Sequence, residues 1–400
     1  MKLMTVIQRH IPHYRVEFFS ALEREARRIG YRLLVISGQD NRKQDWPFRH
    51  RQLRIKSITP HNQSLGWMAG LEDAVTGSDV IVAPHELHCL TIPYLWLRRR
   101  RLCSSWIWWG HGYNFQATPI KQPLYHRATD RVKDFLIPRA DGMITYTLRG
   151  AQYWYERGMT ARQVVPFFNT LDVEGLWEAG GQIGEAVLEE VRDQLNLKHK
   201  HVLLFSGRLY AEKQVDFLLQ SFALIQSALP NTALLILGDG EERARLELLC
   251  QALHLHDVHF LGEITEKVTS SLYFRLAHLL VIPGLVGLAI VHGFAFNLPL
   301  ITTEHNFHSP EIEYLSQQNG RMTSHNAQVY AAEIIQLLSE PALMKAMREH
   351  AKETARRLTL GASADRFIQA VDGLANPSAR IPTDRRRFNG TITNRRINIA

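Results

Sequence analysis

The chain has 400 residues, of which 45% are hydrophobic and 22% are charged, a composition typical of a folded globular protein. This composition excludes a fibrous or wholly disordered chain, and the length is sufficient for two or more domains. The formal net charge of +8 favours anionic partners such as nucleotides, nucleic acid or an acidic membrane face.

The three cysteines, Cys89, Cys103 and Cys250, are scattered without CxxC spacing, so the sequence predicts neither a disulfide framework nor a zinc site. The opening residues MKLMTVIQRH meet a charge and then a proline too early for a signal peptide. No stretch approaches the roughly 20 apolar residues that span a bilayer. We therefore expect a cytoplasmic protein.

Short β-rich runs alternate with helical stretches along most of the chain, as in a parallel α/β sheet. The first set of runs is KLMTVIQR, YRLLVISG, SDVIVAPHE, SSWIWWGHG, ADGMITYT and QVVPFFN. The second set is KHVLLFSG, TALLILGDG, DVHFLGEI, HLLVIPG and LPLITTE. The two sets predict two Rossmann-like halves.

The same patterns predict the domain boundaries. We expect a first domain over residues 1–172, a linker over 173–199 and a second domain over 200–345. A C-terminal helix over 346–375 would be placed to cross back to the first domain. Residues 376–400 combine turn formers and arginines with little apolar periodicity, which predicts a flexible basic tail.

The stretch FSGRLYAEKQVDFLLQSF predicts a strand, a loop with two cations, and a helix. Arg208 and Lys213 lie five residues apart in this loop, a spacing that suits the two phosphates of a nucleotide diphosphate. A solvated loop at a helix start is the alternative. The next strand ends in LGDGEERARLELL, where Gly238 predicts a tight turn rather than a complete GxGxxG phosphate loop.

Five segments, taken in this order, resemble the C-terminal domain of the family 4 retaining glycosyltransferases, which have the GT-B fold. The segments are SGRLYAEKQVDFLLQSF, LGDGEERARL, VHFLGEI, LLVIPG and GFAFNLPLITT. The likeness is strong over about residues 200–345 and looser upstream, in FFNTLD, ITYTLRGAQYWYERGM and HIPHYRVEFFSALER. The resemblance implies two Rossmann-like domains that face each other across a cleft, the first on the acceptor side and the second holding the donor.

The resemblance also implies a reaction. A hexosyl-type enzyme of this kind transfers a sugar from a nucleotide-diphosphate donor to a saccharide or lipid-linked saccharide, with retained configuration and without a metal or other cofactor. Arg208 and Lys213 would then be catalytic, because they would stabilise the leaving diphosphate. Gly207 and Gly238 would help to bind the donor. We expect a role in bacterial surface polysaccharide, lipopolysaccharide or exopolysaccharide biosynthesis.

The segment PGLVGLAIVHGFAFNLPLITTEH departs from the family pattern, which has two glutamates seven residues apart. No carboxylate occurs between Pro283 and Pro299, and His292 stands at the position of the second glutamate. We predict that His292 hydrogen-bonds the donor ribose, with a buried core histidine as the alternative. Pro283, Gly284 and Gly287 would form a turn against the donor.

Two segments of the first half carry candidate residues for the reacting centre and the acceptor. The strand end WIWWGHGYNFQ would place His111 at the reacting centre as a catalytic residue and Asn114 at the acceptor. HIPHYRVEFF follows the first strand, and we expect His13 and Arg15 to bind the acceptor.

The segment APHELH contains His85, Glu86 and His88, and the spacing of its two histidines suggests a metal site. No third ligand is identifiable, and the family resemblance implies no metal, so we expect none.

Four consecutive arginines, Arg98 to Arg101, follow Leu95, Trp96 and Leu97 in IPYLWLRRRRL. This mixture is typical of a segment that docks on an anionic membrane surface, and a solvated basic helix end is the alternative. Peripheral association with the inner face of the plasma membrane is therefore a hypothesis.

Other functions remain open. One is a catalytically inactive sugar-nucleotide-binding protein of the GT-B fold, and another is a sugar-nucleotide 2-epimerase, which would need acid and base carboxylates in the cleft. Nucleic acid is not expected as a partner, because the arginines do not alternate with stacking aromatics along the chain.

Overall fold

The structure of the protein is a computed structural model that describes residues 1–38, 46–58, 65–112, 124–305 and 307–376. For residues 124–129 it describes the backbone alone.

The described chain divides into two compact units. The first unit comprises residues 1–172 and 358–376, and the second comprises residues 173–357. Each contains a parallel sheet flanked by helices, so the predicted pair of Rossmann-like halves is confirmed.

The first unit is built on a seven-stranded parallel sheet with the order β3-β2-β1-β6-β7-β8-β9, beside a small antiparallel pair, β4-β5. Its strands are β1 (Lys2–Gln8), β2 (Tyr31–Gly38), β3 (His50–Leu53), β4 (Ile55–Ser57), β5 (Gly66–Met68), β6 (Val80–Pro84), β7 (Ser105–Gly110), β8 (Gly142–Thr145) and β9 (Val164–Pro166). Its helices are α1 (Val16–Arg28), α2 (Leu71–Val75), α3 (Thr91–Leu102), α4 (Leu124–Leu136), α5 (Leu148–Tyr155) and α14 (Leu360–Ala375). Strands β6, β7 and β8 are buried at every residue, because helices cover both faces of a parallel sheet.

The core of the first unit includes the last helix. The ring of Trp109 on β7 packs 6.0 Å from Phe18 of α1 and 4.9 Å from Phe367 of α14, measured between centroids. Near the C-terminal end of α14, the hydroxyl of Tyr31 donates to the carboxylate of Asp372 at 3.0 Å. The C-terminal stretch predicted as one helix over 346–375 is therefore two helices, and only the second belongs to this unit.

The second unit is built on a six-stranded parallel sheet with the order β12-β11-β10-β13-β14-β15. Its strands are β10 (His201–Ser206), β11 (Thr232–Leu237), β12 (Val258–Gly262), β13 (Leu279–Val281), β14 (Leu300–Thr303) and β15 (Gly320–Thr323). Its helices are α6 (Val173–Gly181), α7 (Glu185–Gln194), α8 (Val215–Ala228), α9 (Arg243–Ala252), α10 (Lys267–Leu276), α11 (Ala289–Ala295), α12 (Ala327–Ser339) and α13 (Pro341–Arg357).

Residues 173–199, for which the sequence predicts a linker, contain α6 and α7. The indole of Trp177 on α6 donates to the carbonyl oxygen of Ala295 at 2.9 Å, and Arg275 on α10 donates to the carbonyl oxygen of Gly180 at 3.0 Å. These contacts hold the stretch within the second unit.

The strand order of the second sheet reverses direction at β10, which lies between β11 and β13. In open parallel sheets, ligands bind outside the carboxyl ends of the strands at such a switch point. The loops that follow β10, β11 and β13 therefore form the candidate ligand-binding edge of this sheet.

Candidate functional site

Three loops of the second unit meet at the carboxyl edge of its sheet. The N–H of Leu209 donates to the carbonyl oxygen of Asp239 at 2.8 Å, which joins the loops after β10 and β11. The N–H groups of Gly284 and Leu285 donate to the carbonyl oxygens of Lys213 and Glu212 at 3.2 and 2.8 Å, which joins the loops after β10 and β13. Backbone hydrogen bonds thus fix the three loops in one surface.

Two of the predicted glycines are required by this packing. A Cβ atom on Gly238 would lie 2.0 Å from the carbonyl oxygen of Gly207, and one on Gly284 would lie 2.2 Å from that of Glu212. Real Cβ atoms do not approach backbone oxygen so closely. A Cβ on Gly287 would meet only the hydroxyl of Ser309, at 3.5 Å, so that position tolerates a side chain.

Pro283 begins the third loop and is buried. Its carbonyl oxygen accepts a hydrogen bond from the hydroxyl of Thr303 at 2.7 Å, which ties the loop to the end of β14. The segment in which a turn was predicted, from Pro283 to Gly287, therefore lies beside the loop that carries Lys213.

Lys213 is a buried cation, with 7% of its surface exposed. Its ammonium donates to the carbonyl oxygen of Leu285 at 2.6 Å, and no carboxylate of the described residues pairs with it. Burial lowers the pKa of Lys213 to about 8, because desolvation penalises the charged form. The group still carries most of its charge at pH 7, and an anion placed at this loop would neutralise it.

Arg208, five residues earlier in the same loop, is exposed to solvent. Within the described part of the chain its guanidinium has no recorded ion pair, whereas the nearby carboxylate of Asp239 pairs with Arg243 at 2.9 Å. The acidic side chain of the GDG turn is thus engaged by its own helix. The two predicted cations therefore differ, since one is fixed and buried and the other is exposed.

Two histidines after β14, His305 and His308, join this surface, and they were not among the residues predicted for the site. His308 accepts the N–H of Val286 at Nδ1, at 3.1 Å, and donates from Nε2 to the carbonyl oxygen of Thr303 at 2.8 Å. Burial and then the charge of Lys213 lower the pKa of His308, so it is a neutral imidazole. His305 hydrogen-bonds through Nε2 to the side-chain oxygen of Gln214, at 2.7 Å.

A signal for these histidines exists in the sequence. The segment TTEHNFHSPE follows the carboxyl end of a predicted strand, as the loop of Lys213 does. Because parallel strands end at one edge, polar residues in both loops were candidates for the same surface.

His292 lies on α11 with its ring parallel to that of Phe274, at a centroid distance of 3.7 Å and an angle of 9°. Phe296 packs on it at 5.8 Å. Its Nε2 atom is enclosed and has no hydrogen-bond partner among the described residues. Burial lowers the pKa of His292 to about 3, so the ring is neutral. This geometry favours the core alternative over a contact with ribose.

In the first unit, His111 follows the carboxyl end of β7. Its ring lies edge-on to that of Tyr146, with centroids 4.2 Å apart. Burial lowers the pKa of His111 to about 3, and electrostatic interactions with His85, Arg15 and Lys133 lower it further. His111 is therefore a neutral imidazole next to the cations Arg15 and Lys133. In this state the ring carries no charge, and its unprotonated nitrogen can accept a hydrogen bond.

Arg15 is buried, with 4% of its surface exposed. Its guanidinium donates to the hydroxyl of Tyr146 at 2.5 Å and lies 4.6 Å from the ring centroid of Trp109. Through Tyr146 the structure brings Arg15 and His111 together at the carboxyl edge of the first sheet. His13 is exposed, and Asn114 lies outside the described residues.

His85, from the segment with metal-like spacing, is buried, and its Nδ1 donates to the carbonyl oxygen of Trp109 at 3.3 Å. Within the described ranges, no group of three or more histidine, cysteine, aspartate or glutamate side chains is placed to hold a metal ion.

The basic segment predicted to dock on a membrane forms α3. Leu95 and Trp96 are buried, because they face the sheet, whereas Leu97 is 71% exposed and Arg98, Arg100 and Arg101 are exposed. Among the described helices, none is both long enough and apolar enough to cross a bilayer.

The family whose model matches this chain is Glycosyl transferases group 1, over residues 188–354. The matched segment is less than half of the chain and covers most of the second unit, including Arg208, Lys213 and the three loops. The match supports the glycosyltransferase resemblance for this unit and does not distinguish the family 4 branch.

Two curated relatives match parts of the chain. An exopolysaccharide phosphotransferase of Streptomyces coelicolor is 29% identical over 180 residues, which are 44% of this chain and 19% of the relative. An α-D-kanosaminyltransferase of Streptomyces kanamyceticus is 27% identical over 189 residues, which are 46% of this chain and 48% of the relative. The chain thus spans less than half the length of these relatives.

Solved structures match nearly the whole chain. HepE of Anabaena in complex with UDP gives a TM-score of 0.70 at 16% identity, with 93% of this chain and all of that chain covered. WaaG, a glycosyltransferase involved in lipopolysaccharide biosynthesis, gives a TM-score of 0.63 at 16% identity, with the same coverage. At these identities the likeness establishes the fold, which is GT-B.

Proposed function

We propose that this chain, whose second unit matches the group 1 glycosyl transferases, transfers a sugar from a nucleotide-diphosphate donor to a saccharide or lipid-linked saccharide. The family match, the GT-B fold and the UDP bound in HepE support this proposal. The curated and structural relatives from exopolysaccharide and lipopolysaccharide biosynthesis support a role in bacterial surface or exopolysaccharide assembly.

The observation that carries the proposal is the state of Lys213. A buried ammonium that touches one carbonyl oxygen, in a surface of three glycine-containing loops, is an incomplete ion pair. A diphosphate would complete it. When the bond between the anomeric carbon and the phosphate oxygen breaks, negative charge grows on that oxygen, and Lys213 and Arg208 would stabilise it.

We further propose that the donor sugar keeps its anomeric configuration. No carboxylate occurs between Pro283 and Pro299 to attack the anomeric carbon. In a front-face reaction the acceptor oxygen bonds to the anomeric carbon on the side that the phosphate leaves, and the acceptor proton passes to a phosphate oxygen. This route needs neither a protein nucleophile nor a metal, since the two cations offset the charge of the leaving group.

The central experiment incubates the protein with radiolabelled UDP-, GDP- and dTDP-sugars and a bacterial lipid extract. We expect one of the sugar nucleotides to label a lipid-linked product. Lys213→Ala should reduce the rate of sugar transfer at least about a hundredfold, which is the usual effect of removing a group that stabilises charge in the transition state. Lys198→Ala is the matched control, because Lys198 is an exposed lysine of the same unit that pairs with Asp193. Equal rates for both variants would overturn the assignment of Lys213.

Two outcomes identify the alternatives. Binding of UDP without transfer to any acceptor would indicate an inactive sugar-nucleotide-binding protein. Conversion of a UDP-sugar to its 2-epimer in the absence of acceptor would indicate an epimerase. The stereochemistry and the metal requirement are tested on the product of the active enzyme, by the anomeric proton coupling in NMR and by the rate in EDTA.

Reaction at the cytoplasmic face of the membrane is part of the proposal. The exposed Leu97, Arg98, Arg100 and Arg101 form an apolar and basic patch on α3, and Phe135 on α4 is also 52% exposed. Such a patch suits an anionic lipid surface. We expect the protein to float with vesicles of phosphatidylglycerol and not of phosphatidylcholine. Flotation that is unchanged in the Arg100→Gln, Arg101→Gln double variant would overturn this docking surface.

A further inference from the structure

A basic cavity lies in the second unit at the amino edge of its sheet. Its volume is about 390 Å³. It is bordered by Lys200 and Val202 at the start of β10, and by His278 just before β13. Lys213 follows the carboxyl end of β10, and six strand residues span about 20 Å. The cavity is therefore distinct from the surface of three loops.

The charges of the lining residues have one sign. Four cations reach the cavity from four places in the chain: Arg192, Lys200, Arg275 and Arg348. No carboxylate lines it among the described residues. A cavity walled by cations concentrates the positive potential and attracts anions.

Three of these cations have carboxylate partners outside the lining. Lys200 pairs with Asp257 at 2.5 Å, and Arg275 pairs with Glu185 at 2.6 Å. Arg192 pairs with Glu189, which is 56% exposed. These pairs reduce the charge that the three cations offer to a ligand and keep their side chains in place.

Arg348 differs from the other three. It stands on α13 and is half-buried, and no ion pair or hydrogen bond of its side chain is recorded in the described part of the chain. Burial lowers the pKa of Arg348, which reflects a guanidinium drawn out of water without compensation. Its five donors are therefore available to an anion in the cavity.

His278 adds a neutral donor. Its Nδ1 accepts the N–H of Val202 at 3.0 Å, so the proton of the neutral ring is on Nε2. Burial, and then electrostatic interactions with Arg348, His201 and Arg192, lower the pKa of His278 to about 4. The ring is thus neutral at pH 7 and offers an N–H rather than a charge.

We propose that this cavity binds a small soluble phosphate-bearing molecule, with Arg348 as the principal cation and His278 as a hydrogen-bond donor. A planar guanidinium matches two oxygens of a phosphate, and a volume of this size lies in the range of small-molecule sites. The site is independent of the proposed transfer reaction. Its ligand would be recognised from the side of the sheet opposite to the donor loops.

The test uses the full chain and inorganic pyrophosphate as the probe, by isothermal titration. In the Lys213→Met background, which disables the loop surface, we expect pyrophosphate binding that weakens at least about tenfold on Arg348→Met, the loss of one charge-assisted contact. Lys345→Met is the matched control, because Lys345 is an exposed cation on the same helix. Arg348→Lys keeps the positive charge but loses the planar guanidinium. Its pyrophosphate affinity should lie between those of the Lys213→Met parent and the Arg348→Met variant.

Three results would overturn the proposal. The first is equal pyrophosphate affinity in the Arg348→Met and Lys345→Met variants. The second is the absence of pyrophosphate binding whenever Lys213 is replaced. The third is binding to phosphatidic acid vesicles that depends on Arg348, in a protein that does not bind pyrophosphate. UDP affinity is measured in parallel on wild-type and Arg348→Met protein. We expect it to be unchanged, so that a failure of this site is distinguishable from a failure of the donor site.

Discussion

The imidazole of His292 lies flat on the ring of Phe274, with their centroids 3.7 Å apart, and its Nε2 is enclosed without a partner in the described residues. His292, which the sequence pattern predicted as a ribose contact, is thus part of the packing between α10 and α11. An enclosed and unsatisfied nitrogen reduces stability, since it loses water and gains no hydrogen bond.

Replacing His292 by phenylalanine should therefore not destabilise the protein. We expect His292→Phe to leave the free energy of unfolding unchanged or to raise it by about 1 to 2 kcal/mol, and to leave UDP affinity unchanged. His292→Glu should lower the free energy of unfolding by about 3 kcal/mol or more, because it buries an uncompensated charge. Urea unfolding and UDP titration measure both quantities. Tenfold weaker UDP binding in a fully stable His292→Phe variant would restore the ribose contact.

The lowered pKa of His292 makes stability depend on pH. Because the folded value, about 3, is below the ordinary value of 6.5, the unfolded chain binds a proton in this window that the folded chain does not. Stability should fall as pH falls from 6.5, by up to about 1.4 kcal/mol per unit for this group. Between pH 7 and pH 5, His292→Phe should lose up to about 2 kcal/mol less than the wild type. Identical pH dependence in both proteins would contradict the burial of this ring.

Lys213 should show opposite effects on stability and binding. Its folded pKa of about 8 is below the ordinary value of about 10.5, so its burial opposes folding below pH 8, and this penalty fades as pH rises toward 10.5. At pH 7, Lys213→Met should raise the free energy of unfolding by about 1 to 3 kcal/mol and weaken UDP binding at least about tenfold. Urea unfolding and titration calorimetry measure the two effects. A variant that is less stable and binds UDP normally would contradict both.

The glycines of the third loop offer a matched pair. Gly284→Ala places a Cβ 2.2 Å from the carbonyl oxygen of Glu212, so the loop must move. We expect this movement to lower the free energy of unfolding by about 1 to 3 kcal/mol. Gly287→Ala meets only the hydroxyl of Ser309 at 3.5 Å and should change stability by less than about 0.5 kcal/mol. We expect Gly284→Ala alone to weaken UDP binding, measured by titration. Equal effects of the two variants would show that the loop contact does not shape the site.

In the first unit, burial indicates a structural role for Arg15. Arg15→Met removes the hydrogen bond that the guanidinium donates to the hydroxyl of Tyr146, and we expect a loss of about 1 to 3 kcal/mol in the free energy of unfolding. Tyr146→Phe should cost less in the Arg15→Met background than in the wild type, since the hydrogen bond between the two side chains is then already lost. The exposed His13→Ala is the control. A fully stable Arg15→Met enzyme with a raised KM for the acceptor would instead assign Arg15 to acceptor binding.

Periodicity predicted the elements well where one face is apolar. In α8 the apolar residues at positions i, i+3, i+4 and i+7, which are Val215, Leu218, Leu219 and Phe222, are at most 3% exposed. In α9 the apolar face with the same spacing, which begins at Leu246, is less deeply covered. Its Leu246 is buried and Leu249 is half-buried, whereas Leu248, off that face, is 65% exposed. Such patterns identify which side of a helix faces inward, because packing on the sheet selects it.

The candidate site was predictable only where neighbours in sequence form it. Arg208 and Lys213 share one loop, so the sequence reveals them together, although not that one is buried and the other exposed. His305 and His308 reach the same surface from a loop about 90 residues later, and only the strand order brings them there. The orientation of His292 toward Phe274 depends on how α10 packs on α11, which periodicity does not determine.

The return of α14 to the first sheet has a consequence for synthesis of the chain. Phe367 closes the aromatic core around Trp109, but it is made after the whole second unit. The apolar face that awaits α14 therefore stays uncovered while about 200 further residues are translated, which takes roughly 10 to 40 seconds. During that interval the exposed apolar face of the nascent first unit favours aggregation, until α14 is made and covers it.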